Sequence, residues 1–213
     1  MVSSGAIGLG MGKLGLMDRP KDTPGKQACA AVGQCELMYL YDNLFSEYSI
    51  TVAQLLLTKY ILLEDRRKNV ENALERLISQ GVIPVVNEND TVAIDELELE
   101  MGENDSLAAV VATIANADLL IIMSDIDGLY DSDPRQNPDA KMIPVVREIS
   151  EDIHAVAGGA GTKFGTGGMA TKIHAVEIAY ESDIDVVLMN GQHPKKLYEL
   201  FEDKPVGTLF HKG

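Results

Sequence analysis

Short apolar runs alternate along this chain with longer segments in which apolar residues recur at helical spacing. The short runs are typical of strands because they are bounded by polar or turn-forming residues. They cover 49–58, 82–86, 118–124, 185–189 and 206–210. The longer segments predict helices at 26–45, 64–80, 106–115, 171–180 and 194–201, while 145–157 is predicted as a strand followed by a helix. Alternation of this kind predicts an α/β fold, a three-layer αβα sandwich with an open, mainly parallel sheet.

Two parts of this pattern carry further expectations. The helix predicted at 26–45 has Leu37, Leu40, Tyr41 and Leu44 at the i, i+3, i+4 and i+7 positions, which predicts that these four side chains are buried. Apolar helix faces around these residues also leave room for a second copy, and we expect a homo-oligomer. At the other end of the pattern, residues 2–6 resemble the exit of a strand, because a Ser-Ser-Gly turn follows one apolar residue.

The segment 165–172 has the composition of a phosphate-binding loop. Three of its first four residues are glycines, which adopt positive φ and let main-chain N–H groups surround an anion. Helical spacing begins at Thr171, so the loop leads to a helix N-terminus, where negative charge is favoured. Lys172, in the first turn, opposes the helix dipole and therefore indicates a bound anion. The alternative is an ordinary glycine-rich surface loop, since 158–161 is also rich in glycine.

Three polar clusters lie where a parallel sheet places its ligands, beyond the carboxyl ends of strands. Residues 87–90 (Asn-Glu-Asn-Asp) follow one predicted strand, Ser124 and Asp125 follow another, and Asn104 and Asp105 open a predicted helix. Asp105 has an alternative explanation, because Asn or Asp at a helix N-cap satisfies free N–H groups and contributes about 1 kcal/mol.

Shorter patterns do not support other kinds of site. The run 10–15 matches G-x-G-x-x-G, but no complete strand fits before it, so a dinucleotide site is not favoured. A P-loop is excluded because Ile7 stands where its first glycine is required. Residues 125–128 do not begin a calcium loop, because Tyr130 stands where that loop needs glycine. The alternating acids at 95–100 are more typical of a solvated strand face than of a metal site.

Composition narrows the functional classes. The 213 residues are 46% hydrophobic and 24% charged, which is typical of a globular domain. A formal charge of −15 with no Lys/Arg cluster argues against nucleic acid as a partner. No apolar run is long enough for a membrane span, and we expect no signal peptide and no membrane partner. Cys29 and Cys35 form no metal or redox motif, which is consistent with a cytoplasmic protein.

Seven segments together resemble the glutamate 5-kinase family, a branch of the amino-acid kinases. They occur in that family's order and spacing along nearly the whole chain, at 2–7, 26–34, 85–90, 102–105, 124–135, 165–172 and 207–210. The resemblance implies an open α/β sandwich that transfers phosphate from ATP, with Mg²⁺, to the side-chain carboxylate of L-glutamate. This reaction is the first step of proline biosynthesis. Because both reactants are anions, the protein's task is positioning and charge neutralisation more than proton transfer.

The resemblance also implies a role for each matching residue. Ser4 and Gly5 help to hold the glutamate carboxylate, while Asp90 and Asn104 bind the glutamate, with Asp90 a natural partner for its ammonium group. Asp105 organises the catalytic lysines, and Lys172 neutralises charge on the transferred phosphate. Nucleotide contacts are implied at Ser124, Asp125, Thr166, Gly167, Gly168, Met169, Ala170, Thr171 and Lys172. No residue is assigned to a metal.

Two departures from the family pattern add expectations. Members begin with a strand and a glycine loop that carries a second lysine, and no Lys-x-Gly-Ser occurs in this sequence. We therefore expect residues 1–213 to form a single domain, incomplete at its N-terminus, with severely reduced turnover. No small RNA-binding-type β domain is expected after the kinase domain. The alternatives are a related kinase acting on aspartate, acetylglutamate or carbamate, and a non-catalytic sensor of an amino acid or a nucleotide.

Overall fold

A computed structural model of the chain describes residues 1–58, 64–92, 104–158 and 167–212. The chain divides into two compact units, Met1–Leu107 and Ala108–Gly213. The prediction of an α/β fold with mainly parallel strands is confirmed, whereas the single domain stays a prediction. The elements are α1 (Ala6–Leu14), α2 (Thr23–Ser46), β1 (Val52–Leu57), α3 (Glu64–Ser79), β2 (Ile83–Glu88), α4 (Asn104–Ile114), β3 (Leu119–Ser124), β4 (Val145–Val146), α5 (Glu151–Gly158), α6 (Gly167–Glu181), β5 (Asp185–Asn190), α7 (Lys196–Leu200) and β6 (Thr208–Phe210).

In the first unit, β2 is paired on both edges. It runs parallel to β1, with Val52 opposite Ile83. Val2 forms a parallel bridge to Val86 on its other side, where Ser3 N donates to Val86 O at 2.9 Å and Val86 N donates to Met1 O at 2.8 Å. The first residues therefore do act as the end of a strand. Their parallel direction brings the Ser-Ser-Gly turn to the carboxyl end of β2.

Helix α2 starts three residues earlier than predicted. The Asp22 side chain accepts a hydrogen bond from Gly25 N at 2.7 Å, which caps the helix, and Pro24 is tolerated in the first turn. The predicted buried stripe is wrong at two of its four positions. Leu37 is buried, but Leu40 and Leu44 are 41% and 58% exposed.

The buried face of α2 includes the small residues Cys29, Ala30 and Gly33, and α1 lies directly against it there. A Cβ on Gly33 would lie 1.7 Å from the Ala6 carbonyl oxygen, and a Cβ on Gly10 would lie 1.8 Å from the Cys29 carbonyl oxygen. Only glycine permits two helix backbones to approach this closely. The run 10–15 is therefore mostly helix, and its first glycine serves helix packing. This excludes the dinucleotide interpretation, which requires a strand before the run.

We expect Gly10→Ala to lower the free energy of unfolding by about 1–3 kcal/mol, because the added methyl group forces α1 away from α2. Gly12→Ala is the matched control on the same helix, since no atom of the described residues lies within 4 Å of a Cβ placed there. It should instead raise the free energy of unfolding by about 0.5–1 kcal/mol, because alanine favours helix. Urea denaturation of both variants measures the difference. Equal effects from the two substitutions would contradict the close packing.

The second unit contains a four-stranded sheet in the order β3-β5-β6-β4. The β3–β5 and β4–β6 pairs are parallel, and β5–β6 is antiparallel. Strand β5 is central, and Val186 to Met189 are fully buried, as expected for a strand covered on both faces. Helix α6 contributes Ile173, Val176 and Ala179 to the core of this unit. Within the described ranges, no helix is long and apolar enough to span a membrane.

Candidate active site

The turn between Val2 and α1 leaves a helix N-terminus available to an anion. Gly5 adopts φ 95°, a left-handed conformation that glycine tolerates best, and no side chain caps the helix behind it. Ser4 is exposed beside it. Free N–H groups and the helix dipole favour a carboxylate at such a position. This geometry is consistent with the predicted role of Ser4 and Gly5, which stays a prediction.

A network of side-chain amides lies at the carboxyl end of β2. Asn87 belongs to the strand itself, one residue before its end, and is buried. Its Nδ2 donates to Gln34 Oε1 at 2.9 Å, and its Oδ1 accepts from Glu88 N at 2.9 Å and from Asn104 Nδ2 at 3.1 Å. Asn104 Nδ2 also donates to Ser3 O at 2.6 Å. The network joins the Ser-Ser-Gly turn, α2, β2 and the start of α4.

Sequence reasoning missed Gln34 and gave Asn87 no role. The signal for Asn87 was present, because a polar residue that directly continues a wholly apolar run is buried with it. Gln34 gave a weaker signal, because the buried face of its helix was predicted at Leu37, Leu40, Tyr41 and Leu44.

Asp105 lies inside α4. The helix begins at Asn104, so Asp105 is in the first turn and does not occupy the N-cap position of the alternative explanation. A carboxylate in the first turn is still favoured by the helix dipole. Its predicted role in organising lysines stays a prediction.

Asp90 lies in a turn that follows β2. The turn is held by Asn89, whose N–H donates to Leu57 O at 2.7 Å and whose Oδ1 accepts from Thr91 Oγ1 at 2.6 Å. Partial burial raises the pKa of the Asp90 carboxyl, and the positive charge of Arg19 opposes that rise. A carboxylate that is partly withdrawn from water is a strong partner for a cationic ligand group.

The raised pKa of Asp90 predicts a pH-dependent effect of Asp90→Asn on stability. The Asp90 carboxyl binds its proton more tightly in the folded chain than in the unfolded chain. In the unfolded chain, the pKa of an aspartate carboxyl is about 3.9. The contribution of Asp90 to stability is therefore present below that value and is lost as the pH rises through the folded pKa. Relative to wild type, we expect the variant to gain stability between pH 3 and neutral pH, measured by thermal melts across that range. A relative loss over the same interval would contradict the partial burial of this carboxylate.

In the second unit, the carboxyl ends of β3 and β5 lie side by side. Ser124 is opposite Asn190, and Gly191 N donates to Ser124 O at 2.7 Å. Asn190 Nδ2 donates to Asp127 Oδ1 at 3.0 Å. Asp125 is exposed and lies 3.5 Å from the guanidinium of Arg135. Ser124 and Asp125 therefore belong to a polar edge of the sheet, as predicted.

The loop after β3 is fixed from beneath by a buried threonine. Thr208 Oγ1 accepts from Leu129 N at 2.8 Å and donates to Ile143 O at 2.7 Å. Tyr130 follows, and burial together with the nearby Asp127 carboxylate raises the pKa of its phenol. Asp127, Tyr130 and Asn190 are polar groups at this edge that the sequence analysis did not select. All three lie at or shortly after the end of a strand, and this position in the sequence could have indicated them.

Helix α6 begins at Gly167, four residues before the predicted start. Gly168 is therefore part of the first helical turn and presents its N–H there, while Gly165 and Thr166 lie outside the described residues. Lys172 is in the second turn, which corrects the predicted first-turn position. Its side chain reaches back, and Nζ donates to Gly168 O at 3.1 Å. The ammonium group thus lies at the helix N-terminus, where a bound anion would be.

The other residues of α6 that are predicted to contact the nucleotide differ in their exposure and in their hydrogen bonds. Thr171 Oγ1 donates to Gly168 O at 3.1 Å, which leaves this hydroxyl at the first turn. Ala170 is exposed. Met169 is partly buried and packs against the hydrophobic core of the second unit.

Among the described residues, no group of three or more His, Cys, Asp and Glu side chains could hold a metal ion. The acids at 95–100 lie outside those residues. Asp125 forms an ion pair with Arg135.

The fold agrees with the comparison to known families. A model of the amino acid kinase family matches residues 1–190, and the chain belongs to that family. The chain is 52% identical over 213 residues to the glutamate 5-kinase of Clostridium perfringens, which covers 99% of this chain and 79% of that protein. It is 51% identical over 211 residues to the glutamate 5-kinase of Caldanaerobacter subterraneus, covering 99% and 56%.

Solved structures support the same fold at much lower identity. Isopentenyl phosphate kinase from T. acidophilum superposes with a TM-score of 0.61 at 19% identity, covering 95% of this chain and 78% of that one. Uridylate kinase from Archaeoglobus fulgidus gives 0.60 at 15% identity, covering 98% and 82%. These likenesses show the architecture of the chain.

Proposed function

We propose that this chain catalyses the ATP-dependent phosphorylation of the side-chain carboxylate of L-glutamate, which yields L-glutamyl 5-phosphate and begins proline biosynthesis. The observation that carries the proposal is 52% identity along 99% of the chain to a glutamate 5-kinase. In the reaction a carboxylate oxygen forms a bond to the γ-phosphorus of ATP. The bond from that phosphorus to the β–γ bridging oxygen breaks, and ADP leaves with its electron pair.

The first unit supplies the groups that suit the amino acid. Asp90, with its partly buried carboxylate, pairs with the substrate ammonium group, and Asn104 binds beside it. Ser4 and Gly5 offer a hydroxyl and a helix N-terminus to a carboxylate. Support for this assignment comes from the hydrogen bond between Asn104 Nδ2 and Ser3 O, which ties the two regions together.

The second unit supplies the groups that suit the nucleotide. Main-chain N–H groups of Gly167, Gly168 and the residues that follow bind phosphate oxygens, and Ser124 and Asp125 contact the nucleotide from the strand end. Lys172 acts in catalysis by neutralising charge on the transferred phosphate. Asp105, a residue of the first unit, organises the catalytic lysines. The hydrogen bond from Lys172 Nζ to Gly168 O supports its placement at the phosphate end.

Mg²⁺ accompanies the nucleotide in this proposal. When bound with ATP, the ion would supply charge neutralisation to the phosphate groups. No residue of this chain is assigned to hold it.

The proposal includes a homo-oligomer in the cytoplasm. Four large side chains on and just after α2 are exposed in the single chain, Tyr39 at 61%, Leu40 at 41%, Leu44 at 58% and Tyr48 at 77%. A second copy could cover this apolar surface. Both cysteines are free, which is consistent with a reducing compartment.

The test is the release of ADP from ATP with L-glutamate as acceptor, with the acyl phosphate trapped as a hydroxamate. We expect L-glutamate to be the best acceptor when aspartate, N-acetylglutamate and carbamate are compared at equal concentration. Faster ADP release with one of those three acceptors would show that this acceptor, and not L-glutamate, is the substrate. Binding of glutamate and ATP by calorimetry, with no ADP released, would favour a non-catalytic sensor.

A further inference from the structure

We propose that Gln34 is a positioning residue for substrate recognition, which acts through Asn87 to fix the orientation of the Asn104 amide. The inference rests on the proposed function, because it concerns how the ammonium group of L-glutamate is recognised. The three side chains come from α2, β2 and α4. They form a head-to-tail chain in which Asn104 donates to Asn87, and Asn87 donates to Gln34.

Backbone groups determine the direction of this chain. Ser3 O can only accept, so the Asn104 atom 2.6 Å away is the nitrogen. Glu88 N can only donate, so the Asn87 atom 2.9 Å away is the oxygen. The Asn87 nitrogen must then point to Gln34, which has to present its oxygen. Gln34 thus completes an orientation that two main-chain groups impose.

The fixed orientation decides what Asn104 can offer to a ligand. The two hydrogens of its Nδ2 have two acceptors, Ser3 O and Asn87 Oδ1. The group that remains for a ligand is the Oδ1 acceptor. A side-chain oxygen together with the Asp90 carboxylate suits an ammonium donor and does not suit a second carboxylate.

Gln34 itself is badly matched to a purely structural role. Its side chain is only 9% exposed, and its Nε2 is a buried donor without a partner among the described residues. A buried unsatisfied N–H destabilises the folded chain, and an apolar side chain of the same length would avoid that penalty. What Gln34 contributes is the oxygen that accepts from Asn87.

The test compares L-glutamate with glutarate, the same diacid without the ammonium group, by calorimetry on the full chain. Gln34→Met keeps the length and removes the acceptor, so the buried Asn87 Nδ2 loses its partner, and Asn87 and the Asn104 amide bonded to it are held less firmly. We expect Q34M to weaken L-glutamate binding roughly tenfold or more. Glutarate and ATP binding should change less than about twofold, because neither uses Asn104 Oδ1 as a partner for an ammonium group.

Gln34→Glu is the conservative rescue, since it keeps an acceptor oxygen at the same distance. We expect Q34E to bind L-glutamate within about threefold of wild type. A purely structural site predicts the opposite order, because a buried carboxyl group destabilises more than a methionine. If Q34M lacks a cooperative thermal transition, Gln34→Asn replaces it. That variant shortens the side chain by one methylene group, which moves the acceptor oxygen away from Asn87. It should show the same weakening of L-glutamate binding relative to glutarate.

The outcomes separate this proposal from the proposed function. Equal weakening of L-glutamate and glutarate by Q34M would overturn the positioning role, and so would an equal loss of L-glutamate binding in Q34M and Q34E. A wild-type chain that fails to bind L-glutamate, or that releases ADP only with another acceptor, would contradict the proposed function itself.

Discussion

Replacing Lys172 with methionine is expected to lower kcat for glutamate phosphorylation by about 10²–10³-fold, the usual effect of removing one preorganised donor to a developing charge. The Lys172 ammonium group lies at the N-terminus of α6, bonded to Gly168 O at 3.1 Å. In the proposed reaction it leaves or shares that carbonyl to neutralise the transferred phosphoryl group. Methionine keeps the length and apolar stem of the side chain but has no charge.

Stability should change little in this variant, because the hydrogen bond that Lys172 donates is exposed. Lys195→Met is the matched control, a lysine-to-methionine change at an exposed position in the same unit, and should keep wild-type kcat. Steady-state ADP release at saturating L-glutamate measures both variants. If kcat of Lys172→Met decreases by less than about tenfold, Lys172 does not take part in catalysis.

Replacing Asp90 with asparagine is expected to weaken L-glutamate binding by about 2–4 kcal/mol, which is roughly 30- to 1000-fold in Kd. The variant removes the negative charge that faces the substrate ammonium group and keeps the size and shape of the side chain. ATP binding should be unchanged, since the nucleotide uses groups of the second unit. Calorimetric titration with each ligand separates the two effects.

Two controls make this prediction specific. Asp42→Asn removes the same charge from an exposed position in the same unit and should leave the Kd for L-glutamate unchanged. Glutarate has no ammonium group, so Asp90→Asn should not weaken its binding and would improve it by removing like-charge repulsion. Equal losses for glutarate and L-glutamate would assign Asp90 to a role other than recognition of the ammonium group.

The sequence predicted the elements better than their contacts. Strand β5 was located within one residue because a short apolar run is a local signal. The buried face of α2 was misplaced because the prediction followed Leu37, Leu40 and Leu44. The packing instead follows small residues, since α1 contacts α2 at Gly33. A periodic stripe of leucines shows which helix face is apolar but does not show whether anything covers it.

The sequence predicted some residues of the candidate site and missed others that contact them. Asn104 was selected, and the structure ties it to Ser3, which lies 101 positions away in the chain. Gln34 and Asn87 were given no role, although Asn87 is hydrogen-bonded to Asn104 and Gln34 to Asn87. Their importance depends on a contact between residues 53 positions apart, and no local pattern encodes such a contact.

By itself the sequence determined the alternation of strands and helices, the polar residues at strand ends and the family of the chain, because periodicity and motif order are properties of neighbouring positions. The tertiary structure decided the hydrogen-bond partners of those residues. The nitrogen of the Asn104 side chain donates to Ser3 and Asn87, which leaves its oxygen for the proposed ligand, and the Lys172 side chain reaches back by four residues to Gly168. Hydrogen-bond direction is set by partners that are distant in the chain, so it emerges only when the chain has folded.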